Sequence, residues 1–393
     1  MRILFVSEWL GYFGGVEVNV AETARALGER GHDCFLAYGN GTGRDETGYE
    51  EHFKACLRCA EMADANSASD AISIDSIVER CAPDVIYLQK VKRVDLCVRH
   101  LGKIRVVRMV HDHELCCPRG WKGYAIGGRV CRHKTGWRCW LDGAFIGRDR
   151  GSALGVKWVR ISDTLREIRA NHALDSFLVG SRFMQEELTQ NGFPIDRIQI
   201  VPPMVRYESL ESPSPTPSNG HILYVGQLVR GKGVDMLLEA LSLLRCTFSA
   251  TIVGEGNAKE KLKRKCTALD LDDQVKFEGW IASEKLGPYY ESAQVVAVPS
   301  RGPEAFGMVG LEAMHHGRAV VAFKAGGIED WLVDGETGFL IPEQDVVSFA
   351  DALERLVLDI ELATTMGTQA RQRAVTEYAF GDYVAMVEKA LAG

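Results

Sequence analysis

The residues with the clearest chemical potential lie between Ser300 and Glu312, where two carboxylates, Glu304 and Glu312, flank a glycine-bearing segment. The segment follows the apolar run 295–298, which is typical of a buried strand, and it continues into a helical pattern. A strand, a glycine-bearing loop and a helix N-terminus together form a corner that binds phosphate. Acidic side chains beside such a corner suit a ligand that carries both phosphate and sugar hydroxyls.

The same two glutamates could instead form the acid/base pair of a glycoside hydrolase. Such pairs stand about 5–9.5 Å apart, whereas eight residues of continuous helix would separate them by about 12 Å along the axis. Pro303 and Gly307 disfavour a continuous helix, so the spacing gives the hydrolase interpretation no support. The remaining alternative is a helix N-terminus with ordinary surface acids.

A second glycine-rich turn carries two cations. The strand predicted at 222–225 is followed by Gly226, and Arg230 and Lys232 then stand among glycines before a helix predicted over 234–244. Cations in this position can hold a diphosphate and neutralise the charge that develops on a leaving group. The alternative is two surface cations without a ligand.

Further candidate residues share one property, in that each stands shortly after a predicted strand: Gly14 and Gly15, His111, Gly254, and Trp280 with Ile281. Glycine lets the backbone approach a ligand closely, and a histidine can exchange hydrogen bonds with a substrate hydroxyl. The first glycine pair matches neither the dinucleotide fingerprint nor a Walker motif. Tight turns, and a structural histidine paired with Asp112, are the alternatives, but the recurrence at successive strand ends favours binding.

The elements that must position these residues are strands alternating with helices. Strands are predicted at 3–6, 34–37, 85–88, 104–110 and 177–179, and again at 222–225, 249–253, 275–277, 295–298, 319–323 and 339–341. An amphipathic helix is predicted over 18–27, ending near Gly31. Such alternation implies parallel sheets covered by helices on both faces. Ligands of these sheets bind beyond the carboxyl ends of the strands.

The bulk composition predicts a two-domain protein. A chain of 393 residues exceeds one typical core, and the Pro/Ser-rich stretch 212–220 is the predicted linker, with a long surface loop as the alternative. The net charge of −7 argues against a general nucleic-acid binder. The N-terminus is predicted to be the first strand of a cytoplasmic enzyme rather than a signal peptide, and peripheral membrane attachment stays open.

Four of the eleven cysteines fall in one polar segment with several histidines: Cys116, Cys117, Cys131 and Cys139. Such a set could bind zinc or an iron–sulfur centre in a structural role, although the spacing is not that of a zinc finger. Reduced thiols or a disulfide are the alternatives. The segment is also basic and rich in tryptophan, so it could contact a lipid–phosphate interface or form a solvated loop with a small local core.

Together these segments resemble the family-4 retaining glycosyltransferases of the GT-B fold. The resemblance covers essentially the whole chain, is strongest from about 221 to 342, and rests on an ordered set of pieces: Gly14-Gly15, Gly226 with Lys232-Gly233, Gly254-x-Gly256, Glu278-Gly279, Pro299-Ser300, Glu304-x7-Glu312 around Phe306-Gly307, Gly326-Gly327, and Gly335 with Gly338-Phe339. Two departures stand out. The family usually has arginine at Gln227, and its Pro-Asn-Gly turn is replaced here by the residues 201–204.

The resemblance implies an α/β architecture of two doubly wound Rossmann-like domains facing each other across a cleft. The expected boundaries are an acceptor domain over 1–205 with a cysteine-rich insert at 111–140, a nucleotide-sugar donor domain over 206–376, and a helix over 377–393 that crosses back onto the first domain.

The resemblance also implies roles for the candidate residues. Lys232, assisted by Arg230, would contact the diphosphate of a nucleotide-sugar, Glu304 the sugar hydroxyls and Glu312 the ribose. His111, Lys232 and Glu304 are the expected catalytic residues. The other implied donor-binding positions are Gly14, Gly15, Gly226, Gly254, Trp280, Ile281, Phe306, Gly307, Met308 and Val309, the last four through backbone N–H groups.

The implied activity is retaining transfer of a hexose from a UDP- or GDP-linked sugar to a glycan or lipid-linked acceptor, in cell-envelope polysaccharide or glycoconjugate biosynthesis. No metal is expected for catalysis, and no nucleic-acid partner. Two alternatives stay open: a GT-B sugar-nucleotide epimerase, and a non-catalytic partner protein with a metal site in the insert.

Overall fold

The protein consists of two compact units, each built on its own parallel sheet. The structure, a computed structural model, describes residues 1–12, 14–64, 70–124, 130–148, 156–204 and 214–393. The first unit comprises Met1–Gly120, His133–Arg206 and Phe380–Gly393, and the second comprises Trp121–Arg132 and Tyr207–Ala379. Among the residues that the structure describes, no helix combines the length and apolar character that crossing a bilayer requires.

The first unit is an α/β layer structure around seven strands: β1 (Arg2–Leu10), β2 (Asp33–Gly41), β3 (Ala55–Arg58), β4 (Val85–Leu88), β5 (Arg105–Val110), β8 (Ser176–Val179) and β9 (Ile198–Ile200). They lie in the order β3-β2-β1-β4-β5-β8-β9 and pair in parallel. Two short strands, β6 (Ile146–Arg148) and β7 (Val156–Trp158), form a separate antiparallel pair. The helices are α1 (Gly15–Glu29), α2 (Glu46–Glu50), α3 (Ile74–Cys81), α4 (Asp95–Val98), α5 (Arg138–Leu141), α6 (Ile161–Asn171), α7 (Arg182–Gln190) and α15 (Phe380–Ala392).

Helix α1 shows how the sequence builds this unit. Val20, Ala24 and Leu27 recur at helical spacing and are buried, so they form the face that packs on the sheet. The helix ends where Gly31 takes a φ of +85°, a left-handed conformation that glycine adopts without strain. The predicted helix and its glycine stop are therefore confirmed.

The C-terminal helix α15 belongs to the first unit and is held there by buried hydrogen bonds. The Tyr383 hydroxyl lies 2.8 Å from Oγ1 of Thr23 and donates to Oδ1 of Asn19 at 3.1 Å. Asn19 in turn donates from Nδ2 to the Met204 carbonyl at 2.6 Å. One polar network therefore joins α1, α15 and residue 204 of the chain.

The second unit is built on six parallel strands: β10 (His221–Val225), β11 (Ser249–Val253), β12 (Val275–Gly279), β13 (Val295–Val298), β14 (Ala319–Phe323) and β15 (Gly338–Ile341). Their order is β12-β11-β10-β13-β14-β15. The helices are α8 (Val234–Leu241), α9 (Lys259–Ala268), α10 (Gly287–Ser292), α11 (Met308–His315), α12 (Ile328–Trp331), α13 (Val346–Leu358) and α14 (Ile360–Glu377). Strands β13 and β14 are buried along their whole length, as expected for the centre of a sheet with helices on both faces.

The predicted strands of both sheets are confirmed, as is the α/β class with two Rossmann-like domains and a C-terminal helix. Three features were not predicted: β3, β9 and the β6–β7 pair. Helix α8 ends at Leu241, three residues before the predicted end.

Part of the predicted linker is fastened to the second unit. The guanidinium of Arg318, which is fully buried, donates to Oγ of Ser214 at 2.6 Å and to Oγ1 of Thr216 at 3.2 Å. It also donates to the backbone carbonyls of Tyr290 and Glu291. Residues 214–220 therefore do not behave as a solvated spacer, while residues 212 and 213 of the predicted linker lie outside the described residues.

Candidate functional site

The parallel register of the second sheet brings the segments that follow its strands to one edge. Val225 pairs with Val253, and Val298 pairs with Ala322, so the connections leaving β10, β11, β13 and β14 start side by side. The predicted glycine turns and the carboxylate corner therefore share the carboxyl edge of the sheet, where parallel α/β sheets bind their ligands.

An ion pair lies at the centre of this edge. The Lys232 ammonium donates to both carboxylate oxygens of Glu304, at 2.7 and 3.0 Å, and the hydroxyl of Ser300 donates to Glu304 Oε1. The Glu304 side chain is 14% exposed and that of Lys232 is 34% exposed, so both make protein contacts and both keep some accessible surface. The structure thus brings together two of the predicted catalytic residues.

Backbone contacts between two loops place this pair. Gly233 has a φ of +67°, and a Cβ there would stand 1.8 Å from the carbonyl oxygen of Pro299. The carbonyl of Gly231 accepts hydrogen bonds from the N–H groups of Arg301 and Gly302 at 2.9 and 3.1 Å. Only glycine allows this approach, and it carries Lys232 to the loop that holds Glu304.

The second predicted cation, Arg230, lies in the same turn, within a short 3₁₀ helix of residues 230–232. It is half-buried and makes no ion pair with any residue in the described part of the chain. A cation at this edge without a carboxylate partner is suited to an anionic ligand.

The carboxylate corner leads into α11 as predicted. Gly307 caps the helix with a φ of +92°, and Met308 and Val309 form its half-buried first turn, whose N–H groups have no intrahelical acceptor. Phe306 is buried, and its carbonyl accepts a hydrogen bond from Nε1 of Trp331 at 2.7 Å. Phe306 therefore anchors the corner through its side chain, which leaves ligand contacts to the backbone.

Glu312 lies further along α11, where its carboxylate is oriented by a buried tyrosine. The hydroxyl of Tyr290 donates to Glu312 Oε2 at 2.7 Å, and the Tyr290 ring stacks on His316 with centroids 5.0 Å apart. Tyr290 was not predicted, because its position depends on how α10 packs beside α11 and no local sequence pattern marks it.

The glycines at the other strand exits are required by backbone packing. Gly254 has a φ of +144°, and a Cβ there would stand 1.8 Å from the carbonyl oxygen of Gly226. The N–H of Gly254 also donates to the carbonyl of Gly279 at 2.7 Å. Trp280 and Ile281 follow directly, with Trp280 48% exposed and Ile281 half-buried. The backbone segments that follow β10, β11 and β12 thus pack directly against one another, and the glycines have a structural role there.

The remaining predicted binding residues belong to the first unit. Gly14 precedes α1 and donates its N–H to Oε2 of Glu17 at 2.9 Å, while Gly15 is the first residue of the helix and is exposed. Burial raises the pKa of Glu17, although hydrogen bonds from the backbone N–H groups of Glu17 and Gly14 oppose the effect. Phe13, between the glycines of this turn, lies outside the described residues.

His111 follows β5 and is held by Gln89. Its Nε2 lies 2.8 Å from Oε1 of Gln89, and because a carbonyl oxygen can only accept, Nε2 carries the proton and Nδ1 is an acceptor. Burial is the main cause that lowers the pKa of His111 to about 4. The positive charges of Lys90 and Arg108 act in the same direction, and the negative charge of Asp112 acts in the opposite direction. The imidazole is therefore neutral near pH 7.

The alternative partner of His111, Asp112, is engaged elsewhere. Its Oδ2 lies 3.1 Å from the Lys90 ammonium, and Glu114 Oε1 lies 3.5 Å from the same ammonium. Burial acts to raise the pKa of Asp112, but the charge of Lys90 and the hydrogen bonds from Lys90 and the Glu114 N–H together outweigh it, and the pKa is lowered. His111 is thus oriented by an amide and not by the neighbouring carboxylate.

The predicted structural metal site finds no support in the geometry. Cys116 is buried, and Cys117, Cys131 and Cys139 are half-buried. Within the described ranges, no group of three or more His, Cys, Asp or Glu side chains is arranged to hold a metal ion.

Two residues beside the ion pair were not predicted as site residues. Ser300, which is buried, was predicted only as part of a motif, and it donates to Glu304. Arg301 is half-buried and pairs with Asp235 in the first turn of α8 at 2.7 Å. Ser300 could have been predicted from the sequence, because it directly follows the strand and the proline that lead into the carboxylate corner.

Models of two protein families match the chain. The model described as "Glycosyltransferase Family 4" matches residues 13–209, and the one described as "Glycosyl transferases group 1" matches residues 211–373. The first match ends just before residue 210, and the second begins just after it.

Curated relatives match over part of their length. The D-inositol 3-phosphate glycosyltransferase of Pseudarthrobacter chlorophenolicus is 32% identical over 205 residues, which are 48% of this chain and 49% of that protein. The alpha-D-kanosaminyltransferase of Streptomyces kanamyceticus is 34% identical over 172 residues, 42% of this chain and 44% of that protein. The chain thus spans about half the length of the curated relatives it matches.

Solved structures match the whole chain in fold. Anabaena HepE, whose structure is in complex with UDP and glucose, superposes with a TM-score of 0.75 at 19% identity, covering 100% of this chain and 99% of that one. Sucrose-phosphate synthase from Thermosynechococcus elongatus gives a TM-score of 0.73 at 18% identity, covering 98% and 97%. These likenesses confirm the predicted GT-B fold.

Proposed function

Because the chain belongs to glycosyltransferase family 4, we propose that it transfers a hexose, with retention of anomeric configuration, from a nucleotide-sugar to a glycan or lipid-linked acceptor. The proposed setting is the synthesis of a cell-envelope polysaccharide or another glycoconjugate. The donor is a UDP- or GDP-linked sugar. Structural neighbours described in complex with UDP and with UDP-glucose support a nucleoside diphosphate donor.

The observation that carries the proposal is the Lys232–Glu304 pair, 2.7 Å apart, at the carboxyl edge of the second sheet and beside the first turn of α11. In the transfer step the bond from the anomeric carbon to the diphosphate oxygen breaks, the acceptor hydroxyl oxygen bonds to the same carbon from the same face, and its proton passes to the departing diphosphate. The sugar becomes oxocarbenium-like while negative charge grows on the diphosphate. Lys232, Arg230 and the N–H groups that open α11 stabilise that charge.

Glu304 has a second role in this proposal. Lys232 donates to both of its carboxylate oxygens, and Ser300 donates to Oε1. A carboxylate oxygen can also accept hydrogen bonds from the hydroxyls of a transferred sugar. His111, neutral and with Nδ1 as an acceptor, can bind a further hydroxyl, and Glu312 binds the ribose.

Metal-independent transfer is part of the proposal, because the cations and the helix N-terminus supply the positive charge that the departing diphosphate needs. A chelator such as EDTA is then expected to leave the rate unchanged. A rate that falls on chelation and recovers with added divalent cation would contradict this.

The experiment that tests the proposal is incubation of the protein with UDP-, GDP- and ADP-sugars, with release of the nucleoside diphosphate as the readout. Thermal-shift screening against the same donors selects the candidates. Release that increases on adding an acceptor extract, with an α-linked product from an α-linked donor by NMR, is the expected result. Interconversion of sugar epimers without release would instead indicate the epimerase alternative.

A further inference from the structure

The first unit carries an exposed group of large apolar side chains, here called the aromatic patch and consisting of Trp137, Trp140, Leu141, Ile146 and Trp158. Trp158 is 80% exposed, Leu141 76% and Trp137 68%. Tryptophan normally buries most of its surface in a core, so three strongly exposed tryptophans within 22 residues require an explanation.

The patch is an ordered arrangement. Half-buried Phe145 lies between two of its members: its ring is 5.7 Å from that of Trp158 with planes 9° apart, and 5.5 Å from that of Trp140. The loop that carries Phe145 is tied down by hydrogen bonds from Arg119 to the Asp142 carbonyl and from Val159 to the Phe145 carbonyl. The indoles of Trp140 on α5 and Trp158 on β7 are therefore held together through Phe145, and Ile146 follows on β6.

The stretch of sequence that carries the patch has a net charge of opposite sign to that of the whole protein. In the sequence, residues 133–160 hold six Lys or Arg and two Asp, hence a net charge of +4, whereas the entire chain carries −7. The guanidinium of Arg138 stands over the Trp137 ring at 5.5 Å, and Lys134 is exposed. Cations therefore lie among the exposed aromatic side chains.

We propose that the aromatic patch is a docking surface for an anionic lipid bilayer. Tryptophan favours the boundary between headgroups and acyl chains, because its ring is apolar and its N–H can remain hydrated. Leu141 and Ile146 enter the acyl region, while Arg138 and Lys134 bind lipid phosphates.

The same observations count against the other occupants of an exposed aromatic surface. A glycan would stack on the indoles but would gain nothing from exposed Leu141 and Ile146. A second copy of this chain would place two like-charged surfaces against each other, which costs free energy unless the charges are compensated. Only an anionic membrane matches both the apolar and the cationic character.

The proposal goes beyond glycosyl transfer and is tested without any turnover. Full-length protein is mixed with vesicles of phosphatidylcholine, with or without phosphatidylglycerol, and separated by flotation at low and at high salt. Binding is expected only to the vesicles with phosphatidylglycerol, and it is expected to weaken as salt screens the charges.

Matched substitutions locate the surface. Trp140→Ala with Trp158→Ala, and separately Lys134→Glu with Arg138→Glu, should each weaken vesicle binding at least about tenfold. The controls remove an exposed apolar side chain or reverse two charges elsewhere: Leu358→Ala, at a leucine that is 68% exposed, and Lys261→Glu with Lys263→Glu on the basic helix α9. Both control proteins should bind like the wild type.

Three results would overturn the proposal. The first is no flotation with phosphatidylglycerol vesicles at low salt, and the second is an equal loss of vesicle binding in the α9 control. The third is a protein that does not bind vesicles but forms a dimer that the tryptophan substitutions abolish. Thermal melts of each variant check folding. If the double tryptophan variant unfolds, Trp137→Ala, at a position 68% exposed, replaces it.

Discussion

Glu304 contacts both an ammonium and a hydroxyl, and both contacts come from residues near the exits of central strands. Lys232 follows β10, and Ser300 follows β13. The side chain thus acts as a junction between two loops as well as a candidate ligand for a sugar. Substitutions here are expected to affect turnover more than folding, because Lys232 and Glu304 are polar and keep some accessible surface.

Lys232→Ala and Glu304→Ala should each lower transferase turnover at least about tenfold, since each removes a group that interacts with the developing charge or the sugar. Nucleoside diphosphate release measures turnover, and circular dichroism measures folding. Lys265→Ala is the matched control, because Lys265 pairs with Glu239 between α8 and α9 and not at the carboxyl edge. Wild-type turnover in either site variant would refute the assignment.

The protonation of His111 leads to a prediction about pH. Its pKa of about 4 means that the ring is neutral between about pH 5 and 8. Its loss in His111→Gln should therefore lower the rate by a constant factor of roughly ten across this range, the effect of one hydrogen bond. Rate profiles of both proteins measure it. A limb near the ordinary histidine pKa that is present in the wild type and absent from the variant would contradict a neutral ring.

The lowered pKa of His111 also makes the stability of the folded protein depend on pH. The folded pKa of His111 lies below the unfolded value of about 6.5, so the unfolded chain takes up the proton first as the pH falls. The stabilising contribution is complete above the unfolded pKa and is lost as the pH falls towards 4. His315 and His316 have pKa values lowered to about 4 by burial as well, so they add to acid destabilisation.

Sequence patterns predicted Lys232, Glu304 and Glu312 as site residues because each lies in a glycine-bearing stretch after a strand. They could not show that Lys232 and Glu304 touch, since 72 residues separate them and the contact depends on sheet register. Tyr290 was missed for a related reason: its hydroxyl meets Glu312 only through helix packing. Local sequence predicts the kind of side chain, whereas tertiary contacts determine its partner.

At the scale of elements, the strand exits of the second sheet depend on glycine for close backbone contact. Gly254→Ala should lower the free energy of unfolding by about 1–3 kcal/mol or more, because it combines a φ of +144° with a Cβ 1.8 Å from a carbonyl oxygen. Chemical denaturation followed by circular dichroism measures it.

Gly287→Ala is the matched control in the same unit, because its backbone is not left-handed and its new Cβ would meet only the His316 ring at 3.8 Å. We expect that variant to stay within about 0.5 kcal/mol of the wild type. Equal stability of the two variants would show that the backbone packing after β10 and β11 tolerates a side chain at position 254.

Two of the strands that the sequence pattern missed, β3 and β9, lie at the two edges of the first sheet, and the reason is physical. All four residues of β3 are only half-buried, and in β9 Gln199 is exposed between Ile198 and Ile200. Central strands such as β13 are covered on both faces and appear as continuous apolar runs, whereas edge strands are partly solvated and lose that signal.

At the scale of the whole molecule, the first unit depends on α15, which follows the whole of the second unit in the sequence. Tyr383→Phe removes the hydroxyl that contacts Thr23 and Asn19 and leaves both groups buried with one partner fewer. We expect a loss of about 1–3 kcal/mol in the stability of the first unit. Thermal melts and limited proteolysis measure this loss.

Met386→Ala on the same helix is the control, because Met386 is 38% exposed and its loss should change stability by less than about 0.5 kcal/mol. If Tyr383→Phe melts like the wild type, the buried network does not contribute to holding α15.

The position of α15 also constrains when the protein can fold during synthesis. Its apolar face, formed by Tyr383, Val384, Val387, Ala390 and Leu391, packs onto elements made more than 250 residues earlier. The nascent first unit therefore leaves the ribosome with a hydrophobic surface uncovered while the second unit is still being translated. Such a chain is a natural client for chaperones, and its N-terminal half expressed by itself should be prone to aggregation.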